Sequence, residues 1–188
     1  MSDHIPASRR SRLLNPDDCV FLLVDMQEKL LPVISENERV LDNIVRLAQF
    51  CSILNIPVVV SEQIKLGRTV SQIQEVLPDL EPLEKESFDC LLTPSISDAL
   101  AKTGRKTLVL AGIEAHVCVL QTALHGLEDY QVHVVSDAAS SRSQHNVKAA
   151  ERRLLQAGAI VSTTEMFIFE ALQRAGTEAF KKSYVLIK

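Results

Sequence analysis

The stretch TLVLAGIEAHVCV, Thr107–Val119, contains a strand, a short turn and the start of a helix. Thr107–Ile113 is continuously apolar, without polar alternation, which is the pattern of a strand buried on both faces of a parallel sheet. The turn Glu114-Ala115-His116-Val117 leads into a helical pattern that runs to about Asp129. The same grammar recurs on either side. Upstream, CVFLLVDM (Cys19–Met26) is another buried strand, and Ser35-Glu36-Asn37-Glu38 reads as a capping box. Behind it Val40, Leu41, Ile44, Val45, Leu47, Ala48 and Ile53 recur at helical spacing as far as Asn55. Pro57 opens the β-branched run PVVVSEQ. A polar stretch with Gly67, Pro78 and Pro82 follows, holding one helix around Val70–Leu77. Ser95-Ile96-Ser97-Asp98 then starts a short helix that ends near Gly104.

Downstream come a strand at Gln131–Ala138, a helix at Gln144–Ala157 stopped by Gly158, a strand AIVST and a helix near Glu165–Arg174. Strands alternating with helices at this spacing predict right-handed βαβ units. The expected fold is α/β: a doubly wound, Rossmann-like, mostly parallel sheet with helices on both faces, in three α/β/α layers. The 188 residues suit one domain, assigned to 15–188 behind a polar tail at 1–14. No internal repeat, low-complexity tract or linker interrupts it.

Composition narrows the function. Lys and Arg number 20 against 24 Asp and Glu, a net charge of −4, so no global basic field draws in a polyanion. Aromatics are 4% of residues, with no Trp to build a stacking surface for bases. Nucleic acid is therefore not expected as the main partner. No apolar run approaches the roughly 20 residues of a membrane span, and Met1 to Asn15 is polar and basic, unlike a signal peptide. The cysteines Cys19, Cys51, Cys90 and Cys118 form no C-x-x-C pair, which argues against zinc-ribbon and thioredoxin-like sites. A cytoplasmic protein with reduced thiols is the expectation. The glycines are too dispersed for G-x-G-x-x-G, and a P-loop, a G-x-S-x-G elbow and H-E-x-x-H are missing as well.

Ligands of open α/β sheets sit beyond the carboxyl ends of the strands. Asp25 ends the first strand there, as a pocket carboxylate or as a loop residue bonding backbone N–H groups. Cys118 follows the turn after Thr107–Ile113, in the first helical turn, where N–H dipoles favour a thiolate. Cys19, Cys51 and Cys90 read as small buried hydrophobes. Lys85 alone reads as a solvated lysine. His116 is two residues from Cys118, a spacing at which helical side chains do not face each other.

Taken together, VDMQ at the first strand end, K-x-x-F at Lys85–Phe88 and AGIEAHVCV resemble the isochorismatase-like cysteine hydrolases. VHVVSDAASSRS and STTEMFIFEAL extend the likeness from about Asn15 to Ala171, and these later segments with SEQ look most like the isochorismatase domain-containing proteins. The resemblance implies a triad of Asp25, Lys85 and Cys118. Cys118 would be the nucleophile, Asp25 the proton carrier, and Lys85 the cation that lowers the thiol pKa. It also implies an oxyanion hole from the backbone N–H groups of Glu114 and Cys118, and a cis Ile113–Glu114 peptide. Nicotinamidases of this superfamily carry a metal-binding Asp-x-His where Ser61-Glu62-Gln63 stands here, so no metal and no cofactor are expected. The implied activity is hydrolysis of a small amide, carbamoyl or related carbonyl compound, in a homo-oligomer such as a dimer or tetramer. Two alternatives stay open: a thiol-based redox or electrophile sensor, and a non-catalytic assembly partner.

Overall fold

The computed structural model describes residues 13–187. Most of the tail assigned to 1–14, with its ASRRSR segment, lies outside the described residues. The sheet has six parallel strands: β1 (Cys19–Val24), β2 (Val58–Gln63), β3 (Leu83–Lys85), β4 (Thr107–Ile113), β5 (Gln131–Ser140) and β6 (Ile160–Ser162). Their order is β3-β2-β1-β4-β5-β6, so the chain winds outward in both directions from the β1–β4 pair. The helices are α1 (Asn37–Leu54), α2 (Ser71–Val76), α3 (Pro94–Lys102), α4 (Leu120–Gly126), α5 (Gln144–Ala157), α6 (Thr164–Leu172) and α7 (Glu178–Ser183).

The period-2 geometry of a strand divides the core into two layers. Cys19, Phe21 and Leu23 of β1 face one side and pack with Ile44, Leu47 and Phe50 of α1 and with Phe167 and Ile168 of α6. Val20, Leu22 and Val24 face the other and pack with Ile96 and Leu100 of α3, Leu120 and Ala123 of α4, and Leu154 of α5. The three-layer α/β/α arrangement follows directly. No helix among the described residues is long and apolar enough to cross a membrane.

Some local expectations shift. Ser35 does not cap α1, which starts after Glu36 in a left-handed conformation (φ 56°) with no side-chain cap. Ser35 is instead drawn to the end of β5: its N–H donates to the Ser141 carbonyl at 3.0 Å and its own carbonyl accepts from Ser140 Oγ at 2.8 Å. Pro94, rather than Ser95, opens α3, where its missing N–H leaves no bond unmade. The segment before Phe88, expected as a connection, contains the short strand β3. A single π turn, Ala115–Val119, precedes α4 and holds Cys118.

Candidate active site

Four neighbouring strands end on one edge, and each supplies a polar group there. The sheet reverses its winding between β1 and β4, which opens the crevice used by ligands of doubly wound folds. Asp25 directly follows β1 and Cys118 lies in the turn after β4, so the two straddle that crevice. The two strands approach very closely: a Cβ at Gly112 would lie 2.1 Å from the Val24 carbonyl oxygen, and Gly112 has φ +124°. Only glycine fits there.

Asp25 and Lys85 are buried together, with Lys85 Nζ 2.8 Å from Asp25 Oδ2 and both side chains fully shielded. Ser61 Oγ donates to Asp25 Oδ1 at 2.7 Å. Lys85 Nζ also donates to Gln63 Oε1 at 2.6 Å and to the Ser87 carbonyl at 3.2 Å, and lies 3.6 Å from Cys118 Sγ. The three residues singled out in the sequence therefore converge. Burial works against the Lys85 charge, but Asp25, followed by Cys118 and Cys90, pulls its pKa above the ordinary value.

The Cys118 thiol departs from expectation. Lys85 does lower its pKa, but burial and the Asp25 charge outweigh that cation and push it well above the usual thiol range. The helix-terminus argument fails for the same reason, since a shielded sulfur beside a carboxylate loses more than N–H dipoles return. Burial and the neighbouring Asp25 charge thus favour the neutral thiol here.

The Ile113–Glu114 peptide is cis. Glu114 Oε1 and Oε2 accept from Arg142 Nε at 3.1 and 3.2 Å, and Oε2 also accepts from the Arg142 N–H at 3.1 Å. The Glu114 side chain thus ties the turn to the segment between β5 and α5. His116 bonds elsewhere: its Nδ1 is 2.9 Å from Ser141 Oγ and its Nε2 3.2 Å from Asn146 Nδ2. Glu62 is engaged by Thr69, whose N–H and hydroxyl both donate to Oε1, at 2.6 and 2.7 Å. Among the described residues, no three His, Cys, Asp or Glu side chains are grouped to hold a metal ion.

Sequence reasoning missed three neighbours of this cluster. Ser61 and Gln63 appeared only as a departure from a metal motif, although their period-2 spacing puts both on one side of β2 at its carboxyl end. Cys90, read as a plain hydrophobe, lies 3.7 Å from Ser61 Oγ. Nothing local in CLLTPS signals that proximity.

A doubly wound α/β sheet with a buried carboxylate, ammonium and thiol gathered at its switch point defines the class. Residues 19–166 match the isochorismatase domain, and the chain belongs to the isochorismatase family. Isochorismatase domain-containing protein 2 of Danio rerio is 39% identical over 178 residues, covering 93% of this chain and 89% of its own. The secreted isochorismatase effector Isc1 of Phytophthora sojae is 37% identical over 190 residues, covering 97% and 90%. Among solved structures, the MAR1 ribonuclease of Caenorhabditis elegans superposes with a TM-score of 0.87 at 36% identity, covering 93% of this chain and 92% of that one. The YcaC gene product of Escherichia coli, an octameric hydrolase of unknown specificity, reaches a TM-score of 0.87 at 23% identity, covering 97% and 92%, a likeness of fold alone.

Proposed function

We propose that this chain is a cofactor-independent cysteine hydrolase of a small amide, carbamoyl or related carbonyl compound, with Asp25, Lys85 and Cys118 as its triad. The observation that carries the reading is Lys85 Nζ standing 2.8 Å from Asp25 Oδ2 and 3.6 Å from Cys118 Sγ, in a shielded cluster at the strand ends. Asp25 takes the thiol proton as Sγ attacks the carbonyl carbon, and the N–H groups of Glu114 and Cys118 receive the oxyanion. Collapse of the adduct breaks the C–N bond, and the proton on Asp25 leaves with the amine. Water then attacks the thioester, its proton passes through Asp25, and the acid departs from a restored thiol.

A screen of small amides and carbamoyl compounds, with Cys118→Ala as the blank, tests this. We expect turnover that survives a chelator, falls by at least about 10³-fold in Cys118→Ala, and passes through an acyl adduct on Cys118. Turnover unchanged in that variant would overturn the assignment. The name of the worm relative brings RNA into the same screen, and at a net charge of −4 we expect RNA to stay uncut. A second reading draws on Cys90, a thiol beside the cluster that could resolve an oxidised Cys118. Peroxide-driven Cys90–Cys118 disulfide formation without any hydrolysis would favour it.

We propose that the protein assembles as a homo-oligomer, a dimer or tetramer in our reading. Val185 near the C-terminus, 72% exposed, belongs to an apolar segment suited to such a contact. We place the protein in the cytoplasm, with its domain spanning 15–188.

A further inference from the structure

The geometry around Lys85 points to a role for Gln63: we propose that it is a positioning residue that aims the Lys85 ammonium between Asp25 and Cys118 while adding no charge of its own. The inference rests on the triad reading above. Gln63 ends β2 directly opposite Lys85 in the parallel register with β3. Its Oε1 accepts from Lys85 Nζ at 2.6 Å, and its Nε2 donates to the Glu86 carbonyl at 2.8 Å. The amide is thereby oriented from both ends, since a flip would set its NH₂ against the ammonium and its oxygen against a carbonyl. Its backbone is held as well. Gln27, fully buried, accepts from the Gln63 N–H at 2.8 Å, and its Nε2 donates to the Gln63 carbonyl at 2.9 Å and the Gly67 carbonyl at 2.6 Å.

An ammonium has three N–H donors, and four acceptors surround this one. They are Gln63 Oε1 at 2.6 Å, Asp25 Oδ2 at 2.8 Å, the Ser87 carbonyl at 3.2 Å and Cys118 Sγ at 3.6 Å. Gln63 and Ser87 are neutral acceptors that do not change during the reaction, and they occupy two donors. The third points at Cys118 Sγ, while Asp25 Oδ2 is held by charge at 2.8 Å without a hydrogen bond directed at it. When Asp25 takes the thiol proton, negative charge moves from carboxylate to sulfur, toward the N–H already aimed there. A carboxylate at position 63 would upset this. It would put a second anion on Lys85, divide the cation's field, and face the Glu86 carbonyl without a donor. Among the described residues, the charged or titrating groups acting on the thiol are Asp25, Lys85 and Cys90, and Lys85 is the cation among them.

The test is the rate of iodoacetamide alkylation at Cys118, followed by mass spectrometry from pH 7 to 10 in the full chain. It is run for the wild type, Gln63→Glu, Gln63→Met and Lys85→Ala, with the urea midpoint of each measured alongside. We expect Gln63→Glu to slow Cys118 on the order of tenfold at pH 8 and to displace its profile to higher pH, one pKa unit being tenfold in thiolate. Gln63→Met, which loses the acceptor without gaining charge, should slow it less and displace the profile less. A folded Gln63→Glu whose profile overlays the wild type would overturn the proposal. So would Glu and Met variants that lose rate and stability in parallel, the signature of a merely structural residue. Failure of the triad itself looks different: Lys85→Ala would then leave the Cys118 rate unchanged.

Discussion

Asp25 adopts φ 53°, a left-handed conformation that β-branched residues resist and that Asp and Asn accept with little penalty. Asp25→Asn therefore keeps the backbone while removing the base. It breaks a fully shielded ion pair, as does Lys85→Ala, and each should cost about 3–5 kcal/mol of stability, read as a lowered urea midpoint. At the thiol the two act in opposite directions. Asp25 raises the Cys118 pKa and Lys85 lowers it, so Asp25→Asn should leave alkylation at pH 8 as fast as wild type or faster. Lys85→Ala should slow it several-fold. Turnover should vanish in both. Slower labelling in Asp25→Asn than in Lys85→Ala would mean that the signs assigned to the two charges are wrong.

The approach of β4 to β1 is the element-scale device that brings Asp25 near Cys118, and Gly112 makes it possible. A methyl group there meets the Val24 backbone, with its carbonyl oxygen 2.1 Å away and its carbonyl carbon 2.8 Å away, and neither can yield as a flexible side chain would. Gly112→Ala should destabilise by about 3 kcal/mol or more, and in whatever folds it should slow Cys118 labelling more than Cys19 labelling. Equal slowing would locate the damage away from the crevice. Among the strands that sequence reveals, β1 and β4 declare themselves by unbroken apolar runs buried on both faces, and β2, β5 and β6 by the β-branched runs PVVVSEQ, QVHVVSDA and AIVST. β3 is three residues, LEK, recruited to the free edge of β2 by pairing with Ser61, Glu62 and Gln63, and no intrinsic pattern marks it. Because β3 carries Lys85, that residue was legible only through resemblance, whereas Asp25 and Cys118 stood out by position at strand ends. Ser61 and Gln63 bond partners 36 and 22 residues away, and such pairings arise from sheet order, which local spacing does not encode.

Across the whole molecule the four cysteines share one consequence of a deep core. Burial, aided at Cys19 by Asp18 and at Cys90 by Asp25, pushes these two thiols up to about 12 and about 11, while Cys51 and Cys118 rise further. The native state thus keeps protons that the unfolded chain releases above about 8.5, and stability present below that pH must fall as pH rises toward the folded values. Lys85 and Tyr130 are also raised, but their unfolded values lie near 10, so they add little between pH 8.5 and 10. On the acid side His133 runs the other way. Its buried ring has a lowered pKa, the unfolded ring gains a proton below about 6.5, and stability declines as pH falls through that point. The urea midpoint should therefore be highest between about pH 6.5 and 8.5 and drop on both flanks. Cys51 isolates the alkaline limb, because it is fully shielded and burial dominates its shift, with Cys19 the only other contributor. Cys51→Val, close in volume, should make the decline above pH 8.5 shallower by about 1.4 kcal/mol per pH unit, the contribution of one retained proton. An unchanged slope in Cys51→Val would show that this thiol ionises in the folded protein and that the core around α1 admits water.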